Sequence, residues 1–238
     1  MSLYLILVIS SLAIPLILSN DKKVTFCKYW GELIPSLILI TFVFAAADII
    51  FTQKGIWGFN PRYLIGCTIA GIPVEEWLFF LAIPYSSIFI HIVFIRYFPG
   101  IFLPEKTTGI ITLILIAALL AAIILFRTRA YTTFYSAVMI VVLIISISGK
   151  DKLLNRFYIT FLIILVPFFL VNGILTGSFI EEEVVWYNEL EITGFRIFTI
   201  PVEDIAYGFS LIMINLLMMK LMRKLLKKNH DIDEMQPG

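Results

Sequence analysis

The chain runs through stretch after stretch of about 20 residues almost free of charge, and that length is what a helix needs to cross the hydrocarbon of a bilayer. Lipid offers backbone N–H and C=O groups no partner, so such a stretch must satisfy them within itself, as a helix does. Seven spans are expected, at 2–19, 31–51, 70–95, 107–126, 131–148, 154–175 and 197–220. The composition leaves no room for a soluble domain: 60% of residues are hydrophobic and 15% charged, with a mean hydropathy of +0.98, against about half and a quarter in soluble chains. Residues 2–19 lack a preceding basic stretch and a clear cleavage site, so they read as a retained span. Cys27 and Cys67 have no C-x-x-C spacing and read as small apolar fillers.

The spans are separated by short polar breaks such as Asn20-Asp21-Lys22-Lys23 and Phe98-Pro99-Gly100. Lys54, Arg62, Arg127, Arg129 and Arg196 fall on one side of the membrane, together with Glu181-Glu182-Glu183. The other thirteen of the 18 Lys and Arg residues fall on the opposite side. Basic residues mark the cytoplasmic face, so the N-terminus is expected outside and the C-terminus in the cytoplasm, the cell membrane being the expected location.

Ile72-Pro73-Val74-Glu75-Glu76 recurs as Ile200-Pro201-Val202-Glu203-Asp204, 128 positions on. At the same offset Asn60 matches Asn188 and Gly66 matches Gly194. Upstream the alignment slips by about four residues, placing Asp48 near Asn172 and Thr52 near Thr176, and the acidic insertion accounts for the slip. The chain thus reads as an all-α integral membrane protein of seven transmembrane helices, with two parallel three-helix repeats at 1–98 and 131–223. A linking helix within 99–130 joins them and a polar cytoplasmic tail occupies 224–238. Three is an odd number of spans, so one extra helix restores the second unit to the orientation of the first and puts both acid pairs at one depth.

Ionisable groups inside spans cost about 2.5–3.5 kcal/mol each on insertion scales, so Glu75, Glu76, Glu203 and Asp204 form the candidate catalytic set. The opposing reading puts them in a wet first helical turn, where proline and acids are both welcome. Two carboxyl groups sharing an apolar pocket titrate as a pair and supply an acid and a base without metal or cofactor. Trp77, Phe79 and Phe80 follow the first pair and Tyr207 and Phe209 the second, and desolvated ring faces stabilise a cation by about 0.5–2 kcal/mol. Pro73, Trp77, Phe80, Pro201, Tyr207, Asn60 and Asn188 are the candidate substrate-binding residues. His91 reads as structural or snorkelling, His230 as solvated, Asp48 as a loop or site partner, and the Lys220–Lys228 cluster as a stop signal facing anionic lipid, not nucleic acid.

The two Pro-x-Glu-Glu/Asp motifs, each heading the last helix of a three-helix unit, resemble the fused form of the heterodimeric-type lycopene cyclases, over essentially the whole chain. The resemblance implies conversion of the linear ends of lycopene to β-ionone rings, giving γ-carotene and then β-carotene, with no net redox change and no cofactor. It implies lycopene as substrate, lipid as surroundings and no nucleic acid; carotenoid-pathway enzymes or a second copy of the chain are open as protein partners. A protonated Glu75 or Glu203 would add H⁺ at C2, the C5=C6 bond would attack the C1 cation, and a carboxylate would remove H⁺ from C6. Asp204, one methylene shorter than Glu76, points to unequal roles. A carotenoid end-group hydratase and a seven-helix transporter with buried carboxylates are the alternatives. Paired Asp-rich diphosphate motifs and a Gly-x-Gly-x-x-Gly fold are missing, and no lysine precedes Lys220 in the last span, which disfavours a prenyltransferase, a flavin-dependent cyclase and a retinal-binding opsin.

A reporter that is active only outside the cytoplasm is expected to work at the N-terminus and stay silent at the C-terminus. A silent N-terminal fusion would remove at least one span.

Overall fold

The computed structural model describes residues 2–149 and 152–226. Lys150, Lys227, Lys228, His230 and the tail from 227 onward lie outside the described residues. Seven helices follow one another: α1 (Leu3–Ile17), α2 (Trp30–Gln53), α3 (Val74–Tyr97), α4 (Glu105–Leu125), α5 (Ala130–Ser148), α6 (Leu153–Leu175) and α7 (Glu203–Leu225). All seven, α1 with the 3-10 turn that continues it, are long and apolar enough to cross a membrane. Their large exposed residues, such as Leu113, Ile124 and Leu125 on α4 and Leu162 on α6, suit contact with lipid.

Two expected spans begin too early. Residues 70–73 and 197–202 are not helical. They belong to tight hairpins, β2 (Thr68–Ile69) with β3 (Ile72–Pro73), and β5 (Arg196–Ile197) with β6 (Ile200–Pro201). Ala70 and Gly71 at the first tip have φ of +53° and +88°, and Phe198 at the second has +56°; a right-handed helix cannot run through such angles. Pro73, which closes β3, is the N-cap of α3, and Pro201, which closes β6, stands one residue before Val202, the N-cap of α7; the helices run on to Tyr97 and Leu225.

The hairpins and the loops before them are built alike. Gly66 and Gly194 both take positive φ, at +90° and +80°, angles that favour glycine. Val74 N–H donates to Cys67 O and Val202 N–H to Phe195 O, each at 3.0 Å. Cys67 is exposed, not an apolar filler, because its backbone and not its side chain serves the turn. The slip of four residues is also visible: Ile56 N–H reaches back to Phe51 O, whereas Val184 N–H reaches back to Leu175 O across a longer loop. That loop carries Glu181 and Glu182, which pair with Arg62 at 2.6 and 3.8 Å.

The halves meet through one antiparallel strand pair, β1 (Trp57–Phe59) with β4 (Val185–Tyr187), in the register Trp57↔Tyr187, Gly58↔Trp186 and Phe59↔Val185. Adding 128 to β1 gives β4, so the pairing maps onto itself about Gly58 and Trp186. The flanking bonds repeat the pattern, Asn60 N–H to Val184 O at 2.8 Å and Asn188 N–H to Ile56 O at 2.9 Å. A Cβ on Gly58 would lie 2.5 Å from the Trp186 ring.

Helix packing follows the same symmetry. Within a half, α1 lies along α3 and α5 along α7; between halves, α2 packs on α7 and α6 on α3. α4 packs mainly on α5 and buries only Thr108 and Thr112, as suits a connecting helix. At the end of the bundle away from the hairpins, Arg223 of α7 donates through Nε and Nη2 to Glu32 Oε1 of α2 at 3.2 and 2.6 Å, and both side chains are at most 5% exposed. Arg223 therefore does not face lipid headgroups as the basic cluster suggests. Helical spacing puts it in line with buried Leu216 and Met219 on the face that meets α2.

Removing one partner of a buried ion pair strands the other charge, at a cost of about 3–5 kcal/mol. Glu32→Leu or Arg223→Met alone is expected to lower the thermal unfolding midpoint in detergent, and the double substitution to recover most of that loss.

Candidate active site

Each acid pair sits in the first turn of its helix, as the wet-interface reading proposed, yet all four carboxyl groups are buried, between 0% and 5% exposed. They divide by position. The first acid of each pair is tied to its own half. Glu75 Oε1 accepts from Ser2 Oγ at 2.9 Å and from Ile65 N–H at 2.7 Å; Glu203 Oε1 accepts from Thr132 Oγ1 and from Thr193 N–H, both at 2.6 Å. In both cases one donor starts the first helix of the half and the other lies ten residues before the acid. The second oxygens of Glu75 and Glu203 are buried without a hydrogen-bond partner among the described residues.

The second acids turn to the centre. Glu76 of α3 and Asp204 of α7 line one pocket of about 20 Å³, together with Tyr4, Trp57, Phe79, Tyr131, Asn172, Tyr187 and Tyr207. Tyr4 donates its phenol to Glu76 Oε2. Asp204 accepts from three groups: Tyr131 OH at 2.8 Å on Oδ1, and Asn172 Nδ2 at 2.8 Å and Tyr187 OH at 2.9 Å on Oδ2. Burial, with the Asp204 carboxyl beside it, pushes the Tyr187 phenol well above its ordinary value, so it stays a donor.

Aromatic rings enclose this polar centre. Trp57 stacks on Tyr187 with centroids 6.0 Å apart, Tyr131 lies 5.3 Å from Tyr187 and 4.9 Å from Tyr135, and Tyr135 lies 5.0 Å from Tyr207. Beyond it, between α1, α3, α6 and α7, lies an apolar cavity of about 390 Å³. The cavity and the pocket share Phe79, Phe168, Asn172 and Tyr207 as lining residues. Its volume falls within the range of about 300–1,000 Å³ usual for ligand sites.

A family model for lycopene cyclase matches residues 1–94 and 128–222. The chain belongs to the lycopene cyclase family. Each matched segment holds one acid pair, and the unmatched interval carries α4. No curated protein and no solved structure matches the chain. Lycopene cyclase membership and seven membrane-length helices make it an enzyme of carotenoid synthesis that works on a substrate as apolar as its surroundings.

Of the residues singled out in this cyclase from sequence, Glu76, Asp204 and Tyr207 meet at the pocket. Phe79 does so as well, whereas Phe80 packs behind it on Phe44 and Phe209 packs on Phe157 and Phe161, away from the pocket. Trp77 faces outward, donating Nε1–H to Ile69 O at 3.2 Å and lying against Phe42. Pro73 and Pro201 shape the hairpins and line neither the pocket nor the cavity. Asn60 and Asn188 are turn residues, accepting from Arg62 N–H and Leu190 N–H at 3.0 Å. His91 is fully buried and bonds through Nδ1 to Thr160 at 2.7 Å, so it does not snorkel. Tyr4, Tyr131, Tyr187 and Trp57 were not singled out. Tyr4 and Tyr131 both stand near the start of the first helix of a half, a correspondence one residue off the repeat and hence easily overlooked.

Glu75→Leu leaves the Ser2 hydroxyl and the Ile65 N–H without their acceptor, at about 1–3 kcal/mol for each unsatisfied group. It is expected to lower the unfolding midpoint clearly, and Glu75→Gln, which keeps a carbonyl oxygen there, to lower it far less.

Proposed function

We propose that this enzyme is a lycopene β-cyclase that joins the ends of lycopene into β-ionone rings by acid–base chemistry, through γ-carotene to β-carotene, with Glu76 as acid and Asp204 as base. The observation that carries this reading is that one acid from each half lines a single buried pocket next to an apolar cavity. Hydrogen bonds donated to a carboxylate favour its charged form. Asp204 has three such donors and Glu76 one, so Asp204 is the group kept as an anion and Glu76 the group that holds a proton.

In this mechanism the apolar cavity takes the linear end of the substrate. Glu76 delivers H⁺ to C2, the electrons of the C5=C6 bond close the C1–C6 bond, and Asp204 removes H⁺ from C6. Atoms and charge balance within the substrate, which makes the reaction an isomerisation. The rings of Tyr131, Tyr187, Tyr207 and Phe79 face the developing cation with π electrons, and the scarcity of polar groups along the cavity keeps water from capturing it. Glu75 and Glu203 hold the N-terminal ends of α1 and α5 to the motif loops and so position their neighbours.

We also read residues 1–98 and 131–223 as two copies of one unit joined by α4. The self-mapping register of β1 and β4 and the repeated hairpins support this. The site then lies near the outer face of the cell membrane, at the end opposite the basic loops.

Expression in lycopene-accumulating cells, with pigments separated by chromatography, tests the function. The native chain is expected to form β-carotene, and Glu76→Gln and Asp204→Asn each to lower its formation by about 10²–10⁴-fold with lycopene persisting. A tertiary alcohol as product would point to a hydratase, and unchanged lycopene with the native chain would sink the cyclase reading.

A further inference from the structure

A third carboxyl group lies within electrostatic reach of the acid pair, and the mechanism has not used it. Asp48, near the end of α2, is fully buried. Its Oδ1 has one weak partner, the Tyr135 hydroxyl at 3.4 Å, and its Oδ2 has none among the described residues. A carboxylate in that setting has little to solvate it, so once Asp48 has given up a proton it is driven to take one back. Electrostatically it interacts with Glu76 and Asp204, and with Tyr4 and Tyr207.

The surroundings join Asp48 to the pocket. The Tyr135 ring that reaches it lies 4.9 Å from Tyr131, which donates to Asp204, and 5.0 Å from Tyr207. Tyr207 also packs on Phe44, one helical turn before Asp48, and its buried hydroxyl has no partner among the described residues. Tyr207 lines the pocket of about 20 Å³ with Glu76 and Asp204, room for about one water molecule. The other half departs here in a telling way. Asn172, at the matching place on α6, is a fixed donor to Asp204, and an amide does not exchange protons as a carboxyl group does.

Each cyclisation leaves Glu76 without its proton and Asp204 with one too many. We propose that Asp48 is the relay that resets the pair: its carboxylic acid gives a proton to Glu76 and then takes the proton that Asp204 removed from the substrate. One O–H bond breaks and one forms at each transfer, Asp48 ends as it began, and no other reactant is consumed. Asp48 touches no reacting atom in this scheme; it acts between turnovers. This inference rests on the assignment of Glu76 and Asp204 above.

The test is a quenched time course with the full chain in liposomes loaded with excess lycopene, resolving the first ring formed per enzyme from later ones. Asp48→Asn keeps the shape and the acceptor for Tyr135 but carries no exchangeable acid proton. It is expected to form the first ring at near the native rate and to slow later turnovers by about tenfold or more, a burst the native enzyme lacks. Asp48→Glu is expected to restore part of the later rate, and Tyr135→Phe, which removes the hydroxyl that reaches Asp48, to produce a similar burst if Asp48→Asn does not fold. Native later turnovers in Asp48→Asn would overturn the relay, as would loss of the first turnover in a folded variant. Glu76→Gln and Asp204→Asn run in parallel separate the two ideas: full activity in either refutes the acid–base assignment whatever Asp48→Asn does.

Discussion

A carboxyl group removed from water must be given hydrogen-bond donors or keep its proton, and this molecule places five of them, Asp48, Glu75, Glu76, Glu203 and Asp204, in one buried layer. The architecture of that layer is the distribution of donors among them. Glu75 and Glu203 take a hydroxyl and a backbone N–H apiece, Asp204 takes two phenols and an amide, Glu76 a single phenol, and Asp48 almost nothing. The α3 and α7 N-termini add a modest favourable field for the acids of their first turns. Glu76 and Asp204, the two that share a pocket, are thus unequally solvated, as the proposed acid and base require.

The self-mapping β1–β4 register and the paired hairpins bring the acids together, and departures from that pattern make them different. The β1–β4 ribbon joins the halves about Gly58 and Trp186, and α3 and α7 both begin beneath it. At the pairing centre the sequence is already unequal, because the Trp186 ring lies where a side chain on residue 58 would be. The same inequality runs inward: Asn172 answers Asp48, Asp204 answers Glu76, and the longer loop before Val184 latches its acids onto Arg62 of the first half. A perfectly symmetric site would hold two equivalent acids, with nothing to decide which one keeps the proton.

Much of this was legible in the chain. Seven spans, the 128-residue offset, the four-residue slip and the candidacy of Glu76 and Asp204 all rest on residue type and spacing, which are local. Hydropathy sets the helix starts too early because the hairpins 70–73 and 197–202 are as apolar as the helices that follow. Only their φ angles separate the two. Spacing alone groups Arg223 with the basic cluster, because its partner, Glu32, is 191 residues away. Asn60 and Asn188 both accept a backbone N–H in a turn, a role that spacing cannot distinguish from substrate contact.

The sequence by itself determined that this is a bundle of membrane-length helices with paired acids at the head of two of them, since apolar length and the cost of buried charge act residue by residue. Only the tertiary structure decided which acid is tied to a loop and which faces the shared pocket, and that Tyr4, Tyr131, Tyr187 and Asn172 supply the donors. Those pairings join residues from 17 to 73 positions apart. A carboxyl group's character depends on which donors reach it in space, and that is set by how helices from both halves pack around one point.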